Sequence, residues 1–125
     1  MTIQRFEDLH VSRRAQDLAV VLYEDLAGCK DYKSKDQITA ACVSISNYIA
    51  EGFEQPSTIN YVRFIHIARN SSNEVRSMSY LTERLTYLNG KQCLHIRSEC
   101  EAISKMLRSM AEKLMTNVRA RTTKK

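Results

Sequence analysis

Ile96, Cys100, Ile103, Leu107, Met110 and Leu114 recur at spacings of four, three, four, three and four. Such spacing lines apolar side chains along one seam of an α-helix. A strand cannot use it, because its side chains change faces at every residue. The seam predicts a helix of several turns that must find a partner for one side. Only three glycines and one proline interrupt the 125 residues, too few for a fold built from many turns. A chain of this length can bury a stable core without a metal or a disulfide.

Three further helices follow from the same reading. Ser12 is a candidate N-cap for a first helix carrying Ala15, Leu18, Ala19, Leu22 and Leu26, with Gly28 as its C-cap. Ser34-Lys35-Asp36-Gln37 has the form of a capping box. The helix it opens places Ile38, Ala41, Cys42, Ile45, Ile49 and Gly52 on one face. Thr39, Val43, Ser46 and Ala50 form a second stripe of small residues on that helix, which predicts a central helix or a subunit contact. Gly52 and Pro56 then mark a helix-to-helix corner, with Ser57 or Thr58 capping the next segment. That third helix is expected over about residues 58–88, with Phe64, Ala68, Ser71, Val75, Met78, Thr82 and Leu85 inward and Asn89-Gly90 closing it. Short connections between amphipathic helices predict an all-α, antiparallel, up-down four-helix bundle. It forms one domain over residues 1–118 with a short N-terminal lead-in, and residues 119–125 form a basic, flexible tail.

Charge is unevenly spread. Residues 105–125 carry seven basic side chains against Glu112 alone, whereas the rest of the chain has twelve basic and thirteen acidic. The four cysteines, Cys29, Cys42, Cys93 and Cys100, show no paired spacing and no secretory leader precedes them, so they are expected to be reduced thiols of a cytoplasmic protein. No apolar run is long enough for a membrane span. Glu7-Asp8-Leu9-His10 is half of a di-metal motif and lies outside the periodic segments. No nucleophile elbow, phosphate loop or zinc-hydrolase signature occurs, so no catalytic residue, metal or cofactor is assigned.

Two constellations remain. At the corner, Glu51 precedes Gly52 and Phe53, and pairing with Arg63 would pin the two helices, the alternative being a catalytic carboxylate. On the third helix Arg69, Asn73, Arg76, Tyr80 and Arg84 recur at spacings of four, three, four and four, opposite the inward face. Arginine forks match phosphate geometry and tyrosine can stack on a base, which makes RNA a sensible partner. A merely solvated helix face is the competing reading. Arg119 and Arg121 add basic groups from the tail.

The stretches "FEDLHVSRRAQDLAVVLYEDL", "AACVSISNYIAEGFEQPSTINYVRFIHIARNSSNEV" and "ISKMLRSM" resemble the small four-helix-bundle proteins encoded within intervening sequences of bacterial 23S ribosomal RNA genes. The similarity runs from about Phe6 to Leu114 and is most specific at the Ala50-Glu51-Gly52-Phe53 corner followed by Arg63-Phe64. Where the family pattern has a proline and an asparagine before that corner, this chain has Ser46 and Tyr48. The resemblance implies a non-enzymatic homo-oligomer, typically a ring of five. It also implies kinship with accessory proteins of diversity-generating retroelements, whose rings have a basic surface and associate with nucleic acid and a reverse transcriptase. The expected function is RNA or other nucleic-acid binding through a basic surface. The alternative is a protein-binding scaffold or accessory subunit that does not touch nucleic acid.

Overall fold

Four helices account for most of residues 3–123, the span described by the computed structural model: α1 (His10–Asp25), α2 (Tyr32–Phe53), α3 (Thr58–Arg84) and α4 (Gly90–Thr123). A single 3-10 turn, Phe6–Asp8, leads in. There is no strand among the described residues. One core unites the helices: Leu18 and Leu22 of α1, Ile38, Ile45 and Ile49 of α2, Ile65 and Val75 of α3, and Ile96, Ile103 and Leu107 of α4 are all buried. Contacts between neighbours run in inverse register. Ser72 meets Cys100, Ser79 meets Arg97 and Thr82 meets Cys93, so numbering rises along α3 as it falls along α4.

The apolar spacing of α2 and α4 is reproduced by the structure, as is the start of α3, where Ser57 Oγ accepts from the Asn60 amide at 3.3 Å; the other helix ends differ. Ser12 is buried inside the first turn of α1 rather than capping it, and Leu9 takes the cap position with no side-chain bond. The preceding 3-10 turn delivers the Leu9 carbonyl to the amides of Ser12 and Arg13, so backbone does what a capping side chain would do. Gly28 is not in the left-handed region, and α1 stops at Leu26, whose N–H bonds the Leu22 and Glu24 carbonyls. At α2 the cap is Asp31, not Ser34: the Asp31 carboxylate accepts from the Ser34 amide at 3.1 Å and from the Ser34 hydroxyl at 3.0 Å. The same carboxylate accepts from the Tyr87 hydroxyl at 2.7 Å, tying the connection before α2 to the one before α4. That bond, with the two from Ser34, holds the Asp31 carboxyl below its ordinary value. Asn89-Gly90 starts α4 instead of ending α3. Asn89 Oδ1 accepts from the Gln92 amide at 2.8 Å while Gln92 Oε1 accepts from the Asn89 amide at 2.9 Å, which is the reciprocal geometry of a capping box.

The buried face of α3 keeps Ala68, Val75 and Thr82 as expected and is turned slightly from the rest of the expected set. Ile65, Ser72 and Ser79 are buried, Phe64, Ser71 and Met78 only partly so, and Leu85 is 42% exposed. Small serines let α3 approach α4 closely and their hydroxyls find partners: Ser72 Oγ donates to the Cys100 carbonyl at 3.0 Å and accepts from Ser104 Oγ at 3.0 Å. The small stripe of α2 is likewise satisfied inside the chain. Thr39 and Ser46 are buried and donate to the Lys35 and Val43 carbonyls. Finally, α4 continues as helix through Thr123, so the part of the 119–125 tail that is described is helical; Lys124 and Lys125 lie outside the described residues.

Thr86 closes α3. Its amide bonds the Glu83 carbonyl and the Tyr87 amide bonds the Thr82 carbonyl, the two bonds of a Schellman motif. That motif needs a left-handed residue, and Thr86 sits at φ 61°, where a β-branched side chain is strained. Thr86→Gly should therefore raise stability by about 1 kcal/mol, measured as an upward shift of the urea midpoint; a fall would show that the threonine hydroxyl bond outweighs the backbone strain.

Candidate nucleic-acid interface

At the corner, no ion pair joins Glu51 to Arg63. Glu51 is exposed, and the Arg63 guanidinium lies 5.4 Å from the centre of the Phe64 ring instead. Rings hold this junction: Tyr48 stacks on Phe64 at 6.1 Å between centroids and Phe53 meets Tyr61 edge-on at 6.0 Å. Gly52 lies between them, within α2 and buried, with no left-handed backbone. A Cβ there would fall 2.8 Å from Phe64 Cβ and 3.1 Å from Tyr61 Cδ1. The glycine is present because α2 and α3 approach too closely for any side chain. Corner residues thus shape the packing and present no acid–base pair.

The arginine stripe of α3 divides into two environments. Arg69, near the middle of α3, faces α4 across a groove of about 440 Å³ lined by His66, Arg108, Glu112, Met115 and Arg119 among others. Further along α3, Asn73, Arg76, Ser77 and Tyr80 line a second recess of about 460 Å³. One face of the Tyr80 ring is already occupied, because the Arg97 guanidinium lies 3.8 Å from its centre. Arg97 is held there by a bond from its Nε to Ser79 Oγ at 2.9 Å and by an ion pair with Glu83, whose hydrogen bond raises the arginine's pKa. Tyr80 remains 52% exposed, so its other side is available to solvent. Arg84 is exposed at the last turn of α3. Arg121 is two residues from Arg119, which at 100° per residue turns it about 200° around α4 and away from the groove.

Arg108, His66 and Arg97 are the members of this surface that the stripe reading did not contain. Arg108 is paired with Glu112 at 3.2 Å, and both side chains are about two-thirds exposed, so the pair is weak and easily rearranged. Arg14 and Glu99 form a bidentate pair between α1 and α4, both contacts at 2.9 Å. That hydrogen bonding lowers the Glu99 pKa and raises that of Arg14. These two groups are committed to packing.

Chemistry of other kinds has little to build on among the described residues. No three His, Cys, Asp or Glu side chains gather as a metal site, and no helix is long and apolar enough to cross a membrane. Burial pushes the Cys42 and Cys100 thiols up to about 12, leaving them protonated and unreactive at neutral pH.

The class defined here is an all-α four-helix protein with a single core and an arginine-rich surface on its last two helices. The chain belongs to the family described as 23S rRNA-intervening sequence protein, whose model matches residues 7–109. A crystal structure of a protein of unknown function from the S23 ribosomal protein family of Bacteroides thetaiotaomicron VPI-5482 is similar, with a TM-score of 0.75 and 25% identity over 81% of this chain and 97% of that one. Comparison with curated proteins finds no match.

Proposed function

We propose that this chain is a non-catalytic, oligomeric RNA-binding protein of the cytoplasm, engaging phosphates through the surface shared by α3 and α4. The observation that carries the reading is that Arg69 of α3 and Arg108 and Arg119 of α4 line one groove, with Arg76 in a second recess further along α3. Guanidinium groups from two helices facing one open channel suit a charged backbone better than a base edge. The family's description, which connects it with 23S rRNA, points the same way.

The inverse register of α3 and α4 supports an antiparallel up-down bundle. Assembly into a ring, with five copies as the resemblance implies, would bring copies of one basic surface together. Leu81 near the end of α3 and Leu85 at its C-cap, both exposed, are apolar surface of the kind that subunit contacts cover. A protein-binding scaffold without nucleic acid is the second reading, and it would use that same apolar surface.

Arg69→Ala combined with Arg76→Ala should weaken binding to a structured RNA about tenfold or more, as expected when charge-assisted contacts to phosphate are removed. Circular dichroism and light scattering should show helicity and assembly unchanged. Unaltered affinity in the folded double variant would refute this interface, and absence of RNA binding in the parent chain would favour the scaffold.

A further inference from the structure

The groove between α3 and α4 is more specific than a generally basic face. The Arg69 Nε–H is buried and has no hydrogen-bond partner, although burying a guanidinium donor without an acceptor is unfavourable. One terminal nitrogen of the same side chain lies 3.5 Å from His66 Nδ1, at the limit of a hydrogen bond. That nitrogen is closed to solvent as it stands, while the Arg69 side chain as a whole lines the groove to which α4 contributes Arg108 and Arg119. Among the described residues that line the groove the carboxylate is that of Glu112, which is already engaged by Arg108 Nε.

We infer that this groove is a phosphate-binding site in which Arg69 is the anchoring donor and Glu112 the competing anion. The chemistry follows from the groove; that the phosphate belongs to a nucleic-acid strand rests on the function proposed above. A tetrahedral group with several anionic oxygens can accept from Arg69 and Arg108 together, which a single planar carboxylate cannot do as well. Its arrival would displace Glu112 from Arg108, and a turn of the Arg69 side chain toward it would give the buried Nε–H the acceptor it lacks. Arg76 and Arg84, on the outer part of α3, would add only diffuse attraction.

The test is nuclear magnetic resonance of the arginine Nε–H signals in the full chain, with the Arg69 signal assigned by its loss in Arg69→Lys. The chain is titrated separately with inorganic phosphate and with a short single-stranded oligoribonucleotide. The Arg69 signal should move with the oligoribonucleotide, and with phosphate at higher concentration. Movement with phosphate alone keeps the site and assigns its occupant to a small phosphorylated molecule. Glu112→Gln should tighten binding about threefold or more by removing the competing charge, an increase that damage to the fold would not produce. An Arg69 signal that moves with neither probe overturns the inference. If RNA binds, is weakened by Arg76→Ala, and leaves the Arg69 signal still, the site is wrong while RNA binding stands.

Discussion

Gly52→Val is expected to destabilise the chain by about 3 kcal/mol, the upper part of the range for forcing extra atoms into a packed interior. The first added carbon alone would lie 2.8 Å from Phe64 Cβ and 3.3 Å from the Tyr61 carbonyl oxygen. Neither is the far end of a flexible side chain, so α2 and α3 would have to separate. The Tyr48–Phe64 and Phe53–Tyr61 ring contacts would loosen with them. The gain in helix propensity on losing a glycine, about 1 kcal/mol or less, does not offset this. Gly28→Ala provides the contrast. Nothing lies within 4 Å of a Cβ at Gly28 and its φ is not positive, so that change should be neutral or stabilising by about 0.4–1 kcal/mol. Urea titrations of both variants decide the point, and equal effects would remove the close-approach explanation.

Leu107→Ala should cost about 2–5 kcal/mol, because it deletes a fully buried side chain and leaves a cavity. Leu94→Ala, the same chemical change thirteen residues earlier on α4, should stay within about 0.5 kcal/mol. Leu107 is 0% exposed and Leu94 66%. A domain of this size has a total stability of only about 5–15 kcal/mol, so the first variant should melt well below the parent while the second tracks it. Similar midpoints for the two would place the core seam of α4 elsewhere.

That seam was readable because Ile96, Cys100, Ile103 and Leu107 are apolar, buried and evenly spaced. On α3 the apolar pattern finds Ala68, Val75 and Thr82 but misses the neighbouring buried positions, for the opposite reason. Its buried positions include Ser72 and Ser79, polar residues whose partners, the Cys100 carbonyl for Ser72 and the Arg76 carbonyl for Ser79, a hydropathy pattern does not reveal. Phe64 and Met78 are apolar enough to predict an inward position and are only half-buried. Helix ends failed where capping is shared or backbone-supplied. Asp31 serves both α2 and Tyr87, which is 56 residues away, and Ser34 donates to that aspartate rather than capping on its own. Asn89-Gly90 has the composition of a stop signal, and its role as a start lies in the reciprocal bonds with Gln92.

The candidate interface was half legible. Spacing alone placed Arg69, Asn73, Arg76, Tyr80 and Arg84 along one side of α3. What it could not give was the partner helix: Arg108 and Arg119 reach Arg69 only through the inverse register of α3 and α4. Reflecting the sequence about the connection after Arg84 brings Arg69 opposite the stretch around Arg108, and this was the available signal. The pin proposed between Glu51 and Arg63 was a pairing of charges by proximity in sequence. In the structure aromatic packing around Gly52 holds the corner, and Arg63 lies on a ring.

The most direct test of the account is the affinity of the nuclease-treated protein for a fluorescent structured RNA across a salt series, with light scattering recording the assembly state at each point. Binding through a phosphate surface should weaken steeply, with a log–log slope of about −0.7 to −0.9 for each phosphate neutralised, and Arg69→Ala should make that slope shallower. Absence of binding at low salt, or binding indifferent to salt, would contradict a phosphate-reading surface on α3 and α4.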